Sequence, residues 1–388
     1  MNAISFNPKL IGRRFARCHL PSSRLKKCFG NLRALSALEQ PDATAVFPND
    51  LRSRFVTSSI IVGDGQRVAG FRHSHQPLAC IEWTTLTEFA MTARYATFCS
   101  DPLNPKAAEP DFADEVEAAR DAGFMPVLLD HDALDHRVDP SDALRKTRTP
   151  EPGLAIYRGW MLKSGAYNAL TEALSARGVE LLTSPESYEA CHHAPGSYEA
   201  LSAFMPRTVW VAEANLDDPK AIASALACFG DSGVIIKDWV KSQAAGYWKE
   251  ACFIPRAANT DQASRVIARF RELQGDGLVG GVVFKTYVPL IPVGAPADEY
   301  RAFVVGGHTV GCWPRSEGAG NGAAPPTELV ARVAAKIPSP FASADFGVDQ
   351  TGRWWLLEVG DGQVSGLPAE AAAKPIFEAL AQTATQRE

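Results

Sequence analysis

Apolar and polar positions show no sustained helical or strand period over the first 90 residues, where turn-forming residues interrupt every short apolar run. We therefore predict an irregular N-terminal extension over residues 1–90. Residues 1–40 carry eight Lys or Arg and a single acidic residue. A basic, acid-poor start is typical of a transit peptide, of an arm that binds nucleic acid, or of sequence upstream of the true start codon, and we favour the third.

A regular pattern begins at Met91, where apolar runs typical of strands alternate with amphipathic helical stretches. Strands are predicted at residues 95–100, 125–130, 154–158 and 179–182, and helices at residues 111–123 and 167–176. A further helix is predicted to begin after Ser184, a favourable N-cap that is followed by Pro185. Strands that alternate with helices predict an open α/β sheet over residues 91–205. No glycine-rich dinucleotide motif follows these strands, which disfavours a Rossmann oxidoreductase.

The second half of the chain, residues 206–388, has a different pattern, in which hairpins stand beside single helices. Helices are predicted at residues 217–230, 261–275, 328–337 and at the C-terminus, single strands near residues 233–237, 251–255 and 280–288, and hairpins at residues 299–315 and 341–359. This pattern is typical of an α+β region with antiparallel sheets. The predicted fold class is therefore α/β followed by α+β.

Composition narrows the classes of function. A chain of 388 residues with 46% apolar residues is long enough for two or three packed lobes. Its net charge of -5 gives no reason to expect a nucleic acid or an anionic membrane as partner. No apolar run approaches the roughly 20 residues that span a bilayer, so we expect a cytoplasmic protein. The eight scattered cysteines are expected to be reduced thiols, and Cys191-His192-His193 lacks the remaining ligands of a zinc site.

The last hairpin brings two carboxylates together. A turn over Asp349–Gly352 with an even number of loop residues places Asp345 opposite Leu356. Glu358 then shares a face with Asp345, at a diagonal Cα distance of about 7 to 8 Å. Two neighbouring carboxylates need a proton, a basic partner or a cation, and Mg²⁺ suits such oxygens. Alternatively, the acids face solvent at a sheet edge, and an odd-length loop would put them on opposite faces.

Basic residues stand at the ends of two predicted strands. Lys237 ends an apolar strand and is followed by Lys241, Ser242 and small residues, an arrangement that suits a phosphate-binding loop although it lacks the P-loop pattern. On another strand, Glu299 and Arg301 share a face, and the arginine fork suits a carboxylate or a phosphate. The alternatives are a solvated lysine and an exposed ion pair that contributes little.

The order of these elements resembles the ATP-grasp superfamily of carboxylate-amine ligases. The resemblance rests on a lysine-bearing strand with a small-residue loop, the VVFKTYV strand, an acid-x-Arg strand, an Asp-bearing strand and a final strand that ends in Glu. It covers roughly residues 207–368, preceded by an α/β domain. The motifs YRGWML, SPESYEACH, VIIKDWVKS, EYRAFVV and LLEVGDGQVSGLP are most similar to a branch of uncharacterised bacterial ATP-grasp domain proteins.

The resemblance implies roles for individual residues. It implies that ATP binds between two lobes, with Lys237, Lys241 and Ser242 at the phosphates and Lys285 or Tyr287 near the adenine. It also implies that Arg301 binds the substrate carboxylate or the transferring phosphate. Asp345 and Glu358 would hold Mg²⁺.

The sequence departs from the common pattern of the superfamily at two places. Many members end the last strand with Glu-x-Asn, whereas Gly360 stands here at the Asn position and Asp361 follows it. Either Asp361 supplies the missing oxygen or one metal ion is held more weakly. The segment between the lobes has Phe284-Lys285 where an acidic residue is common, so ribose contacts differ.

The implied activity is an ATP-dependent ligation of a carboxylate to an amine through an acylphosphate, with ATP and Mg²⁺ as cofactors. The expected partners are small-molecule or peptide carboxylates and amines. The sequence contains no recognisable nucleophile motif, which agrees with catalysis by positioning and charge neutralisation. A phosphotransferase on the same scaffold and a non-catalytic nucleotide-binding module are the alternatives. The sequence specifies neither the substrate nor the oligomeric state.

Overall fold

A computed structural model describes residues 93–149, 151–240, 244–291, 299–315, 323–368 and 373–385. The extension predicted over residues 1–90 lies outside the described residues, as do Lys241 and Ser242. The described part, from Ala93 onward, belongs to one compact unit. None of its helices is long and apolar enough to cross a membrane.

The described residues form strands β1 to β13 and helices α1 to α11, joined by short 3₁₀ and π turns. The strands are β1 Ala93–Asp101, β2 Asn104–Ala108, β3 Met125–Leu129, β4 Gly153–Arg158, β5 Val179–Leu181, β6 Thr208–Ala212, β7 Val234–Asp238, β8 Phe253–Ile254, β9 Gly281–Thr286, β10 Glu299–Val305, β11 His308–Pro314, β12 Phe341–Val348 and β13 Trp354–Asp361. The helices are α1 Ala113–Asp121, α2 His131–Arg137, α3 Pro140–Ala143, α4 Ser164–Ser175, α5 Pro185–His192, α6 Ala194–Leu201, α7 Pro219–Ala227, α8 Ala244–Tyr247, α9 Thr260–Gln274, α10 Thr327–Ala334 and α11 Ala373–Thr385.

The first sheet confirms the predicted open α/β arrangement. Strand β1 pairs in parallel with β3 on one side and with β4 on the other, and β5 continues the sheet beyond β4. Strand β2 adds a short antiparallel hairpin at the end of β1, which the hydrophobic pattern does not predict. As predicted, Ser184 caps α5, because its hydroxyl accepts a hydrogen bond from the backbone N–H of Ser187.

Two four-stranded antiparallel sheets follow, in agreement with the predicted α+β region. The second sheet has the strand order β6-β9-β7-β8, and the third sheet has the order β11-β10-β12-β13. Strand β6 is absent from the prediction. Its burial alternates irregularly, since Trp210 and Val209 are only half-buried, so its sequence has neither a clear strand period nor a long apolar run.

The register of the last hairpin differs from the prediction. Phe346, rather than Asp345, pairs with Leu356, because five residues connect the two strands instead of an even number. A β-bulge at Leu357 then shifts the register, and Asp345 pairs directly with Glu358. The odd-length loop alone would have turned the two acids to opposite faces, and the bulge brings them back to the same face.

The third sheet packs on both faces. One face joins α10 and residues from α5 and α6 in a buried cluster that includes Cys191, Leu201 and Phe346. The other face, through Phe303 and Phe341, joins the first sheet and α11 in a second cluster. The second sheet packs against α7 and α9 in a separate cluster. The predicted limit between residues 205 and 206 therefore separates sheets, while two cores cross it.

Candidate active site

A cavity of about 570 Å³ lies between the second and third sheets. The second sheet contributes Lys237 from β7 and Lys285 from β9. The third sheet contributes Asp345 from β12 and Glu358 from β13. Part of the wall comes from residues of α5 and α6. Basic residues on one sheet thus face acidic residues on the other across a cavity that has the usual volume of a small-ligand site.

Lys237 and Glu358 form the ion pair that spans the cavity. The Lys237 Nζ donates to Glu358 Oε1 at 2.5 Å. The Glu358 side chain keeps 46% of its surface accessible, because it faces the cavity. Desolvation raises the pKa of Glu358, but the positive charges of Lys237, Lys285 and Arg315 outweigh it and lower the pKa to about 2. Glu358 is therefore ionised at neutral pH and available to a cation.

Asp345 is held by two arginines. Arg301 Nε and Nη2 donate to its two carboxylate oxygens at 2.7 and 2.8 Å, a bidentate geometry. Arg315 Nε lies 3.5 Å from Oδ2. The Asp345 side chain is only 4% exposed. Asp345 and Arg315 line the cavity, whereas Arg301 lies behind Asp345, outside the lining of this cavity in the described part of the chain.

Arg315 is a site residue that the sequence analysis missed. Its Nη1 donates to Glu299 Oε2 at 2.5 Å, and both residues line the cavity. Burial lowers the pKa of Arg315, but the charges of Asp345, Glu299 and Glu358 raise it above its ordinary value. The register of the hairpin around Gly306-Gly307, which places the end of β11 beside Glu299, was the available signal.

Lys285 lies beside the β13 bulge, where its Nζ donates to the backbone carbonyl of Leu357. Burial lowers the pKa of Lys285 to about 8, and the nearby Lys237 lowers it further, against the opposing effect of Glu358. Tyr287 follows on the same chain segment, lines the cavity and is 37% exposed. Both residues therefore lie at the cavity, where the sequence analysis expected a nucleotide.

Comparison with known proteins gives the domain its family. Residues 228–381 match a family model described as an ATP-grasp domain, family 3 of its clade. The chain contains an ATP-grasp domain. A search of curated protein sequences gave no match.

Solved structures share the fold of this ATP-grasp protein at low sequence identity. A crystal structure of the D-cycloserine synthetase DcsG superposes with a TM-score of 0.52 at 17% identity, and covers 74% of this chain and 99% of its own. An ATP-grasp RimK domain protein from Sphaerobacter thermophilus DSM 20745 gives a TM-score of 0.51 at 15% identity, with 76% of this chain and 100% of its own covered. At such identity, these structures establish the likeness of fold alone.

Asp361, which the sequence analysis named as a third metal ligand, lies away from the cavity of the ATP-grasp domain. It is three residues beyond Glu358 on β13, so alternation turns its side chain to the opposite face of the sheet. Its carboxylate is fully buried and accepts hydrogen bonds from Gln363 and Ser339. Burial raises its pKa to about 7. This geometry gives no support to Asp361 as a ligand beside Asp345 and Glu358.

The Asn position of the ATP-grasp pattern is occupied differently here. Gly360 pairs with Ser343 in the row next to Asp345 and Glu358. A Cβ atom at Gly360 would lie 3.0 Å from the Ser365 hydroxyl oxygen and 3.1 Å from that of Ser343. These two hydroxyls, 2.6 Å apart, fill the space that an Asn side chain would need.

The described residues contain no group of three or more His, Cys, Asp and Glu side chains placed to hold a metal ion. This agrees with the expectation that Cys191-His192-His193 is not a zinc site. Burial also raises the pKa of the Cys191 thiol well above its ordinary value. The pair Asp345 and Glu358 nevertheless fits Mg²⁺ in an ATP-grasp domain, because Mg²⁺ is commonly held by one or two carboxylates together with substrate phosphates.

Proposed function

We propose that this protein is an ATP-dependent ligase that joins a carboxylate to an amine through an acylphosphate. The observation that carries the proposal is the opposition, within an ATP-grasp domain, of Lys237 and Lys285 to Asp345 and Glu358 across one cavity. The lysines suit the phosphates of ATP, and the carboxylates suit the Mg²⁺ that accompanies them.

In this proposal, Lys237 exchanges Glu358 for a phosphate oxygen when the nucleotide binds. The 2.5 Å contact between the two side chains keeps both charges compensated before that exchange. Once Lys237 turns to the phosphates, Glu358 becomes free to share Mg²⁺ with Asp345. Magnesium would supply charge neutralisation at the phosphates. Lys285, Tyr287 and the backbone that follows β9 would hold the adenine side.

The reaction proceeds in two transfers. A carboxylate oxygen of the substrate attacks the γ-phosphorus of ATP, the bond to the bridging oxygen breaks, and its electron pair leaves with ADP. The amine nitrogen then attacks the carbonyl carbon of the acylphosphate, inorganic phosphate leaves, and the nitrogen loses a proton. Arg315 lines the cavity next to Asp345, and its guanidinium suits the negative charge that moves between these groups. Arg301 would act on this charge through its contact with Asp345.

The proposal is tested by ADP release from purified protein against pools of carboxylates with and without amines. For a carboxylate that supports turnover, labelling its oxygens with ¹⁸O gives inorganic phosphate that carries one ¹⁸O, because the oxygen that attacks phosphorus leaves with it. Phosphate without label would exclude the acylphosphate. A stable phosphorylated product would instead indicate a phosphotransferase, and nucleotide binding without turnover would indicate a binding module.

The metal assignment has its own test. Asp345→Asn and Glu358→Gln each remove one negative oxygen from the pair, and we expect each to reduce Mg-dependent ADP release at least 100-fold. Mn²⁺ affinity, measured by electron paramagnetic resonance in the presence of ADP, should fall with it. Asp361→Asn is the matched control, since Asp361 lies on the other face of the sheet. Rates at the wild-type level in both carboxylate variants would refute the assignment.

A further inference from the structure

The end of β4 is attached to the segment that follows β13, residues 361–366. The Tyr157 backbone N–H donates to Gln363 Oε1 at 3.1 Å. Two residues later, the Gly159 N–H donates to the Gln363 carbonyl oxygen at 3.1 Å. Gln363 is fully buried, and its Nε2 also donates to the Tyr167 hydroxyl. The 361–366 segment is thus held by the α/β part of the chain, about 200 residues away in sequence.

Arg158, between these two residues, makes the strongest contacts to the segment. Its Nη1 donates to the carbonyl oxygens of Gly362 at 2.5 Å and Ser365 at 3.1 Å. Its Nε and Nη2 donate to the two carboxylate oxygens of Glu115, both at 2.6 Å. The Arg158 side chain is 1% exposed. A buried arginine that is fully used by one carboxylate and two backbone carbonyls fixes both partners in place.

The third member of the Tyr-Arg-Gly sequence must lack a side chain. A Cβ atom at Gly159 would lie 2.3 Å from Cys99 Sγ and 2.6 Å from the Tyr157 hydroxyl oxygen. Any other residue would push the end of β4 away from the segment. The sequence Tyr157-Arg158-Gly159 is therefore shaped for this one attachment.

The far end of the segment reaches the candidate active site. The Gly366 carbonyl oxygen accepts a hydrogen bond from Arg301 Nη1 at 3.1 Å. The remaining donors of Arg301 hold Asp345. The Ser365 hydroxyl lies 2.6 Å from that of Ser343, which precedes Asp345 by two residues on β12. The segment therefore supports both the arginine and the strand that present the Asp345 carboxylate.

We propose that Arg158 is a positioning residue for the active site: by clamping the carbonyls of the 361–366 segment, it sets the position of Arg301 against Asp345. The proposal rests on the proposed function insofar as Asp345 and Arg301 serve the ATP reaction. It goes beyond that function because it assigns part of the site's geometry to the α/β region, outside the residues that match the family model.

The test needs variants that keep the fold. Removing Arg158 alone would leave Glu115 buried and unpaired, which is strongly destabilising, whereas replacing both partners is often tolerated. The test variant is therefore Glu115→Gln/Arg158→Met. The matched control is Glu115→Gln, which loses the ion pair but keeps the contacts of Arg158 with the two carbonyls. Arg158→Lys is a second test variant, since it keeps a charge beside Glu115 without the branch that reaches the segment.

The direct readout is hydrogen exchange at Arg301 Nε–H, observed by ¹⁵N NMR without nucleotide and assigned by its loss in Arg301→Lys. We expect exchange at least tenfold faster in Glu115→Gln/Arg158→Met and in Arg158→Lys, and within threefold of wild type in Glu115→Gln. Melting temperatures of all three variants show how much stability each loses, and we expect Glu115→Gln to lose stability without losing Arg301 protection. Wild-type exchange in either test variant would overturn the proposal, as would equally fast exchange in the control.

A second readout connects the positioning to the reaction. If ADP release is established, we expect its rate constant to fall about tenfold in Glu115→Gln/Arg158→Met, with the dissociation constant for a non-hydrolysable ATP analogue within threefold of wild type. An equal loss in the control would contradict the positioning role. A wild-type protein without any turnover would refute the ligase, while the exchange comparison would still decide the role of Arg158.

Discussion

At the scale of single residues, Glu358 and Asp361 show how three positions on one strand separate two environments. Glu358 faces the cavity and is surrounded by cations, so its pKa falls to about 2. Asp361 faces the interior with neutral hydrogen-bond donors, and burial raises its pKa to about 7. The same functional group is thus kept ionised at one position and near neutrality at the other.

Asp361→Asn should make the protein relatively more stable as pH rises. A carboxyl whose folded pKa is raised from 3.8 to about 7 binds its proton more tightly in the folded state. Its contribution to stability is therefore present at low pH and is lost as pH rises through this interval. The Asn variant lacks this loss. Between pH 5 and pH 8, its free energy of unfolding should gain on the order of 2 kcal/mol relative to wild type, measured by urea denaturation.

The same variant separates the two roles considered for Asp361. Mn²⁺ affinity in the presence of ADP should stay within threefold of wild type, in contrast to Glu358→Gln. A stability difference independent of pH, or a loss of metal affinity comparable to that of Glu358→Gln, would contradict the position that the structure gives to Asp361.

Lys285 should couple nucleotide binding to proton uptake. With a pKa of about 8, Lys285 loses its proton above that pH, and an incoming phosphate favours the charged form. We expect the affinity for an ATP analogue to be about tenfold weaker at pH 9 than at pH 7. Calorimetry in buffers of different ionisation enthalpy measures the proton uptake. Lys285→Arg should bind without uptake, because arginine stays charged, and uptake in that variant would disprove the assignment.

At the scale of elements, the bulge in β13 decides what the last hairpin presents. It places Glu358 opposite Asp345 and turns the Leu357 carbonyl to Lys285. Both effects follow from one extra residue in the strand.

Deleting Leu357 should separate these two effects. The strand would then pair Glu358 with Asp345 without a bulge, but the carbonyl that accepts from Lys285 would be lost. We expect Mn²⁺ affinity within threefold of wild type and affinity for the ATP analogue reduced about tenfold, the scale of one hydrogen bond to a charged group. Leu357→Ala keeps the backbone carbonyl and should bind the analogue as wild type does. A deletion variant that binds the analogue normally would show that the carbonyl does not position Lys285.

At the scale of the whole molecule, α11 ties the first and third sheets into one core. Phe377 is fully buried, with its ring 6.3 Å from that of Phe98 and 6.1 Å from that of Phe124. Phe303 and Phe341 of the third sheet belong to the same cluster. The α/β region and the sheet that carries Asp345 therefore share apolar contacts as well as the contacts of Arg158.

Phe377→Ala should lower the free energy of unfolding by about 3–5 kcal/mol, because it leaves a cavity in this shared core. We expect one cooperative urea transition, followed by tryptophan fluorescence and by circular dichroism, to shift as a whole. Phe377→Leu is the control and should cost less than half as much. Two transitions, of which only one moves, would show that the sheets unfold independently.

Local patterns along the sequence were sufficient for the order of most elements and for several site residues. Apolar periodicity places β1, β3 and β4 in a parallel sheet, and the end of each strand marks where Lys237 and Glu358 reach the cavity. These features depend on neighbours within a few residues, so a linear pattern records them. The short strand β6 escapes because its burial follows no period.

Only the tertiary structure decided the β13 bulge, the contact of Arg315 with Glu299 and Asp345, and the position of Asp361 on the far face of its strand. It alone also joined Arg158 to Gly362 and Ser365. Each of these depends on a register shift of one residue or on partners brought together from distant parts of the chain. A local hydrophobic pattern carries no information about such partners, because side-chain pairing across the chain is set by how the sheets and helices pack together.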